Sequence, residues 1–368
     1  FGLTLSRPIT VSYLPTAVAP AWQWEAGAAD FAVKLPGGQM GKILHAGSRG
    51  GQGRWESAGR IEGLAFAPDL LMDAVSGKPV PPERIVIVDA DWNVRFADAL
   101  QGTAQIRRRS GDLWLPGTPP VALGLNALEL NLQAAPTGQP GRSRVTVKAN
   151  VAGERLGTVR VDGEAGVRAV NGAIGLDADR PAFADADLDV KDLSWLGLLI
   201  GDTLELGGAV KGKVRIAQEG NTWGARGAIT GDGIRVIQVD NGIRLLNGTL
   251  QARLEGNRIV LEALRFPGVI RVRPRDSRVT QWIDSEGQKS ELVISADWNL
   301  AQASGHATIQ ADRFPAIQRA DRFVAGSGRV DVDLAPTKLR VAGLFEVDAG
   351  WINLGTQSPP TLSDDVLV

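Results

Sequence analysis

Between Gly207 and Phe266 apolar and polar residues alternate in short runs, each closed by a glycine-containing turn signal. Val210, Val214 and Ile216 alternate with Lys211, Lys213 and Arg215, and Gly212 fills the remaining inner slot. Period two places the apolar members on one face of a strand and the cations on the other. Gly231-Asp232-Gly233, Asn241-Gly242, Asn247-Gly248 and Gly256-Asn257 then read as hairpin turns between short strands. The pattern predicts a meandering antiparallel sheet with one oily and one wet face.

Composition agrees with a turn-dense all-β chain. There are 45 Gly and 20 Pro among 368 residues, against two Met and one Tyr. A hydrophobic content of 43% excludes a disordered chain. The net charge of −1 gives no reason to expect nucleic acid as a partner. No Cys is present, so disulfides and thiolate chemistry are excluded, and compartment is left open. The longest apolar run, Leu196–Ile200 after Trp195, falls far short of a membrane span, and no signal peptide is visible. A first residue that is not Met and a last stretch resembling a strand start read as a piece cut from a longer protein.

Alternation recurs along the whole chain. Trp22 and Trp24 point to one face after Pro8, Pro15 and Pro20. Gly47–Gly53 reads as a glycine-rich loop, and Pro68–Val75 as two helical turns ended by Pro79, Pro81 and Pro82. Ile85–Phe96 is strand-like. Leu128, Leu130 and Leu132 precede a loop at Pro136–Gly141. Val145, Val147, Ala149 and Val151 follow as a strand, then Val159 and Val161. Asp192–Leu199 is a second short helix, expected to cap rather than to form a layer. Leu292, Ile294, Ala296 and Trp298 continue the pattern, as do Val330, Val332 and Leu334, then Leu339, Val341, Phe345 and Val347. Ala90-Asp91-Trp92-Asn93 is echoed by Ala296-Asp297-Trp298-Asn299, as a repeating strand unit would produce. No linker is polar or long enough to divide residues 1–368 into compact domains.

Catalytic side chains are scarce. His45 and His306 lie far apart in sequence and read as surface or turn residues. Asp185, Asp187 and Asp189, like Asp331 and Asp333, fall on the solvated face of strands rather than in a Ca²⁺ or acid/base site. Gly50-Gly51-Gln52-Gly53 lacks the Lys-Ser/Thr of a phosphate cradle. Arg107–Arg109 and Arg271, Arg273, Arg275 and Arg278 read as solvated cations, with lipid headgroups or an acidic partner as the alternative. Asn247-Gly248-Thr249 matches a glycosylation sequon but reads as a turn. The expectation is a non-enzyme without metal or cofactor.

The closing stretch carries a resemblance. Ala311-Asp312-Arg313-Phe314-Pro315, Gly326–Leu334, Leu339–Gly343 and Pro359–Val368 resemble the TamB family, the inner-membrane subunit of the translocation and assembly module of Gram-negative bacteria. The meander Gly207–Phe266 and the segment Ala90–Leu130 are similar to that family and its AsmA-like relatives. The resemblance implies a U-shaped β-taco, an elongated curled half-pipe with an apolar concave face. It implies a periplasmic bridge from an inner-membrane anchor to an outer-membrane partner, TamA, carrying phospholipids and supporting assembly of autotransporters and other outer-membrane β-barrels. Residues 311–368 would begin the family's C-terminal region. The anchor would be missing here and direct TamA contact by this segment is in doubt.

The expected groove lining is Val145, Val147, Val210, Val214, Ile216, Ile234, Val236, Leu250, Leu254, Ile259, Leu261, Leu292, Ile294, Val330, Val332 and Leu334. Phospholipid acyl chains would lie against it with headgroups at the wet lip. Two other readings remain open: a chaperone-like module that accepts a client strand at a sheet edge, and a spacer with a closed, dry core.

Overall fold

The computed structural model describes residues 2–15, 22–34, 40–51, 53–65, 84–115, 120–170, 173–200, 204–220, 222–238, 240, 242–287, 289–319 and 321–353. The expected helix at Pro68–Val75 and the final stretch Pro359–Val368 lie outside them. The first strands are Gly2–Arg7 (β1), Val11–Pro15 (β2), Trp22–Ala26 (β3), Ala29–Lys34 (β4), Met40–Gly51 (β5) and Arg54–Ala65 (β6). Next come Ile87–Phe96 (β7), Leu100–Ser110 (β8), the small pair Trp114–Leu115 (β9) and Val121–Ala122 (β10), then Leu125–Pro136 (β11) and Arg142–Gly153 (β12). Gly157–Val170 (β13), Ala173–Leu176 (β14) and Phe183–Val190 (β15) lead to helix Ser194–Ile200 (α1). Leu204–Glu219 (β16), Thr222–Gln238 (β17), Ile243–Gly256 (β18) and Arg258–Pro267 (β19) precede helix Ser277–Ser285 (α2). Glu291–Asn299 (β20), Ser304–Gln318 (β21), Arg322–Ala335 (β22) and Lys338–Ile352 (β23) complete the order.

All strands but β9 and β10 join one 21-stranded sheet. Pairing is antiparallel throughout and follows chain order from β4 to β8, β11 to β13 and β15 to β23. β1 borders β4, while β3 borders the far half of β5 and carries β2. Among the described residues β1 and β23 each have one neighbour, so the sheet is open. It is an elongated, curled, taco-like single layer with two short helices among the described residues.

Several strands are longer than the turn signals predict. Gly231-Asp232-Gly233 and Asn247-Gly248 do not reverse the chain; they are bulges inside β17 and β18. Gly233 (φ 60°) and Asn247 (φ 56°) take the left-handed backbone that a hairpin would also use, hence the misleading signal. β16 and β18 run past the insertion in β17, and β17 runs past that in β18, so the ladder continues and each extra residue becomes a kink rather than a turn. Gly47–Gly53 is likewise not a loop: through Gly51 it is the second half of β5, paired to β3 and β6. Gly242 and Gly256-Asn257 do lie at reversals, and Asn241 lies outside the described residues.

The two ends of the strands differ. Tight reversals join β5 to β6, β7 to β8, β16 to β17, β18 to β19 and β22 to β23 along one rim. Along the other rim run the longer crossings, which contain β9 and β10, α1 and α2. The buried apolar clusters gather at this second rim. Ala65 and Ile85 form one cluster, and Val86, Val88 and Leu125 a second. Ile234, Phe266, Leu292, Ala311 and Phe314 form a third, joined by Leu193 from the stretch before α1. Val279 and Ile283 of α2 pack on Phe323, Ala325 and Ala349 in a fourth. Trp55 and Phe96, 6.4 Å apart between ring centres, pack at the tight rim instead.

Helix α2 follows from its residues: Asp276 caps its first turn, and Val279 and Ile283 share a face four residues apart. Buried Gln318 fastens the strap that leads to it. Its Oε1 accepts from Arg271 N at 2.7 Å and its Nε2 donates to Val269 O at 2.9 Å, imitating a strand neighbour. The burial contrast yields a test. Phe323→Ala should cost about 3–5 kcal/mol in urea unfolding, because Phe323 is fully enclosed. Leu339→Ala, at a residue 64% exposed on β23, should change it by under about 0.5 kcal/mol. Equal costs would contradict a one-rim core.

Candidate functional site: a continuous apolar face

Cross-strand partners share a face, so the register shows how far each kind of surface extends. Starting at Leu5, successive partners are Phe31, Ile43, Ile61, Ala90, Ile106, Leu130, Ala149 and Val161. The row continues through Ala186, Val214, Gly227, Leu254, Ile259, Trp298, Gly305, Leu334 and Leu339. No polar side chain interrupts it from β1 to β23. One residue away, on the opposite face, the matching row reads Arg60, Asp91, Gln105, Asn131, Lys148, Asp162, Asp185, Arg215, Arg226, Glu255, Arg258, Asn299 and Ser304. Every member there is polar.

The apolar face is also the more sheltered one. Ala134 is half-buried on it whereas Ala135, its neighbour on the other face, is exposed; Ala225 and Ala228 differ in the same sense. Equal side chains with unequal exposure are what a curled single layer produces on its inner and outer surfaces. Shelter is incomplete, however. Away from the clustered rim the inner residues remain half-buried, and Ile216 and Leu334 are 42% and 45% exposed. The result is a trough, covered along one rim by the crossings that carry Leu113 and Leu193 and open toward the tight hairpins; α2 packs instead on the opposite face, where Phe323 and Ala325 fall with Ser327, Arg329 and Asp331.

All sixteen residues expected from the sequence to line a groove lie on this face. Val145, Val147, Val210, Val214, Val236, Leu250, Leu254, Ile259, Leu261, Ile294, Val330 and Val332 are half-buried. Ile234 and Leu292 are buried within the third cluster, under the roofed rim. Aromatic rings are accommodated by glycines opposite them. A Cβ at Gly59 would fall 2.5 Å from the Trp92 ring, and one at Gly305 2.5 Å from that of Trp298. The two echoed Ala-Asp-Trp-Asn segments therefore share one packing device, an indole laid across a neighbouring strand.

The outer face is laced by ion pairs between neighbouring strands. Asp185 meets Arg215 at 3.5 Å and Asp187 meets Lys213 at 3.4 Å, as solvated-face carboxylates would. Arg258 pairs with Asp297, and Arg253 with Glu262. The Arg258 guanidinium holds the Asp297 carboxyl below its ordinary value, and Arg329 with the Thr308 hydroxyl does the same for Asp331. Exposed pairs add little stability, so their effect is to keep this face wet. Recesses on it, one lined by Arg258, Asp297, His306 and Asp333 and another by Arg160, Asp187, Lys211 and Lys213, are open to solvent. Among the described residues no group of three or more His, Cys, Asp or Glu is placed to hold a metal, and no helix is long and apolar enough to cross a membrane.

One of the two histidines departs from the sequence reading. His306 is exposed on the outer face, with Nδ1 2.8 Å from Asp333. His45 is not a surface or turn residue; it lies within β5 on the apolar face, half-buried opposite Gly59 and Ala29. Its Nδ1 stands 3.1 Å from Gly27 O and its Nε2 2.6 Å from Ser48 Oγ. Ser48 Oγ is 2.9 Å from Ser57 Oγ, which accepts from Trp92 Nε1 at 3.0 Å. The bulge between His45 and Gly47 brings residues three apart onto one face, a placement that simple alternation forbids.

Comparison with protein-family models, with curated proteins and with solved structures finds no match to this chain.

The packing of α2 on the outer face has an electrostatic component. Backbone N–H groups of Val279 and Arg278, with the Arg278 guanidinium, hold the Asp276 carboxyl below its ordinary value. A depressed folded value means that the cap stabilises α2 above the ordinary carboxylate range and that this contribution fades as pH falls through the folded value. Asp276→Ala should therefore speed amide exchange across Ser277–Ser285 at neutral pH, and the difference from the parent should vanish in acid. A difference of the same size at both pH values would show that the carboxylate charge is not what matters.

Proposed function

We propose that this chain is a segment of a hydrophobic conduit that carries lipid acyl chains along its trough. The observation that carries the reading is the apolar row, unbroken from β1 to β23 and left open on one side. Moving a methylene from water onto such a surface gains about 0.8 kcal/mol, so an acyl chain lying across several strands is held firmly against water. The trough and a bilayer interior are similarly apolar, so transfer between them is nearly neutral and no position is a deep trap. The outer face stays hydrated, and lipid headgroups lie at the open lip beside the tight hairpins.

The resemblance to the TamB family supplies a setting for this reading. In it the segment belongs to a periplasmic bridge between an inner-membrane anchor and outer-membrane TamA, moving phospholipids in support of outer-membrane biogenesis. No catalytic step, metal or cofactor enters the proposal. Substituting Val214→Asp together with Leu254→Arg places charge in the middle of the row, on strands held by ladders on both sides. The variant should keep its β-sheet circular dichroism and lose lipids that co-purify with the parent in native mass spectrometry. Retention of the same lipids at the same occupancy would overturn the conduit.

A second reading is favoured by the last strand. Among the described residues β23 has one neighbour, and Leu339, Val341, Leu344, Phe345, Val347 and Ile352 along it are exposed. Such an edge can accept a strand from an unfolded outer-membrane β-barrel client. Protection of β23 backbone amides by client peptides, with no lipid bound, would select this reading over the conduit.

A further inference from the structure

The His45–Ser48–Ser57–Trp92 chain is a polar island on the mostly hydrocarbon face, set among Ala29, Gly59, Ala104 and Leu132. Its hydrogen-bond direction follows from its ends. Gly27 O can only accept, so in the neutral ring His45 Nδ1 carries the proton and Nε2 is left as an acceptor. The Ser48 hydroxyl donates to Nε2 at 2.6 Å, and its own oxygen accepts from the Ser57 hydroxyl at 2.9 Å. The Ser57 oxygen in turn accepts from Trp92 Nε1, a group that can only donate. Every proton in the chain is committed. What remains toward the trough is one unused lone pair on each serine oxygen.

Such an island recruits a donor and repels an acceptor. A phosphodiester or an ester carbonyl would bring lone pairs against lone pairs. Neither Arg nor Lys belongs to the hydrogen-bonded chain to reverse that preference. A hydroxyl or a protonated carboxyl supplies the missing proton, and a carboxyl carried into apolar surroundings keeps its proton because burial disfavours the charged form. The neighbouring partners of the island, Ala29, Gly59, Ala104 and Leu132, are small or apolar, so a hydrocarbon tail lying alongside meets no competing polar group there.

We infer that the His45–Ser48–Ser57–Trp92 island is a fixed station for the O–H-bearing end of a single-chain lipid, a protonated fatty acid or a fatty alcohol. The inference rests on the conduit reading and gives it a selective point. Diacyl phospholipids pass the station without being held by their phosphate, whereas single-chain acids or alcohols dwell there.

The test uses the whole chain and three ligands of equal tail length, a fatty acid, the fatty alcohol and the methyl ester of the acid. Each displaces an apolar fluorescent dye from the trough. Acid or alcohol should bind about tenfold more tightly than the ester, the size of one well-made hydrogen bond. In the Ser48→Ala, Ser57→Ala double variant that ratio should collapse toward unity while ester binding stays as it was. Preference for acid over alcohol, or the reverse, identifies which of the two the station takes. An ester bound as tightly as both others by the parent, or a ratio that survives in the double variant, overturns the station. If the alanine pair weakens all three ligands alike, Ser57→Thr decides, since it keeps a hydroxyl: a retained ratio supports the station and a lost one overturns it. Failure of the parent to bind any of the three defeats the conduit itself, an outcome distinct from loss of selectivity.

Discussion

Antiparallel pairing keeps directly opposed residues on the same face, and a shift of one residue would send every side chain of a strand to the other side. Each hairpin in this sheet must therefore set its register so that Val214 meets Ala186 and Gly227 rather than their polar neighbours. The bulges respect the same rule. On one side of the insertion in β17, Gly231 faces Val210; on the other, Val236 faces Leu206, still on the apolar surface. The oily face is thus a product of many local registers that agree, and not of any one cluster of contacts.

A single layer with one apolar face would ordinarily be driven to close upon itself or to acquire a second layer. Here that tendency is satisfied along one rim only. The crossing before α1 brings Leu193 onto the apolar face beside fully buried Phe266, whereas α2 sets Val279 and Ile283 on Phe323 on the opposite face. The remainder of the face is left half-sheltered by curvature. Charged residues on the outer side of β23, among them Lys338, Arg340, Glu346 and Asp348, guard the free edge against indiscriminate pairing.

Much of this was legible in the sequence. The alternation in Val210–Ile216, Leu128–Leu132 and Val330–Leu334 identifies strands and their inner faces, because period two has no other structural meaning at that length. The helix at Asp192–Leu199 is found as α1, Ser194–Ile200. Strand length was not legible: a Gly-Asp-Gly triplet has the same backbone preference in a bulge as in a turn, and distant neighbours decide between them. Helix α2 escaped notice because the arginines preceding it mask the Asp276 cap and the Val279–Ile283 spacing. The polar island was hidden for a related reason. His45 and Ser48 are three apart, and only the irregularity between His45 and Gly47 puts them side by side. Gly47 (φ 141°) was the one local hint of it.

The compact reversals on the open lip make the molecule extensible. Each added hairpin contributes two more strands, lengthening the sheet by about 4.8 Å per strand while leaving its cross-section as it was. Length and cross-section are consequently independent quantities: duplication of hairpins extends such a sheet without altering the shape of its trough.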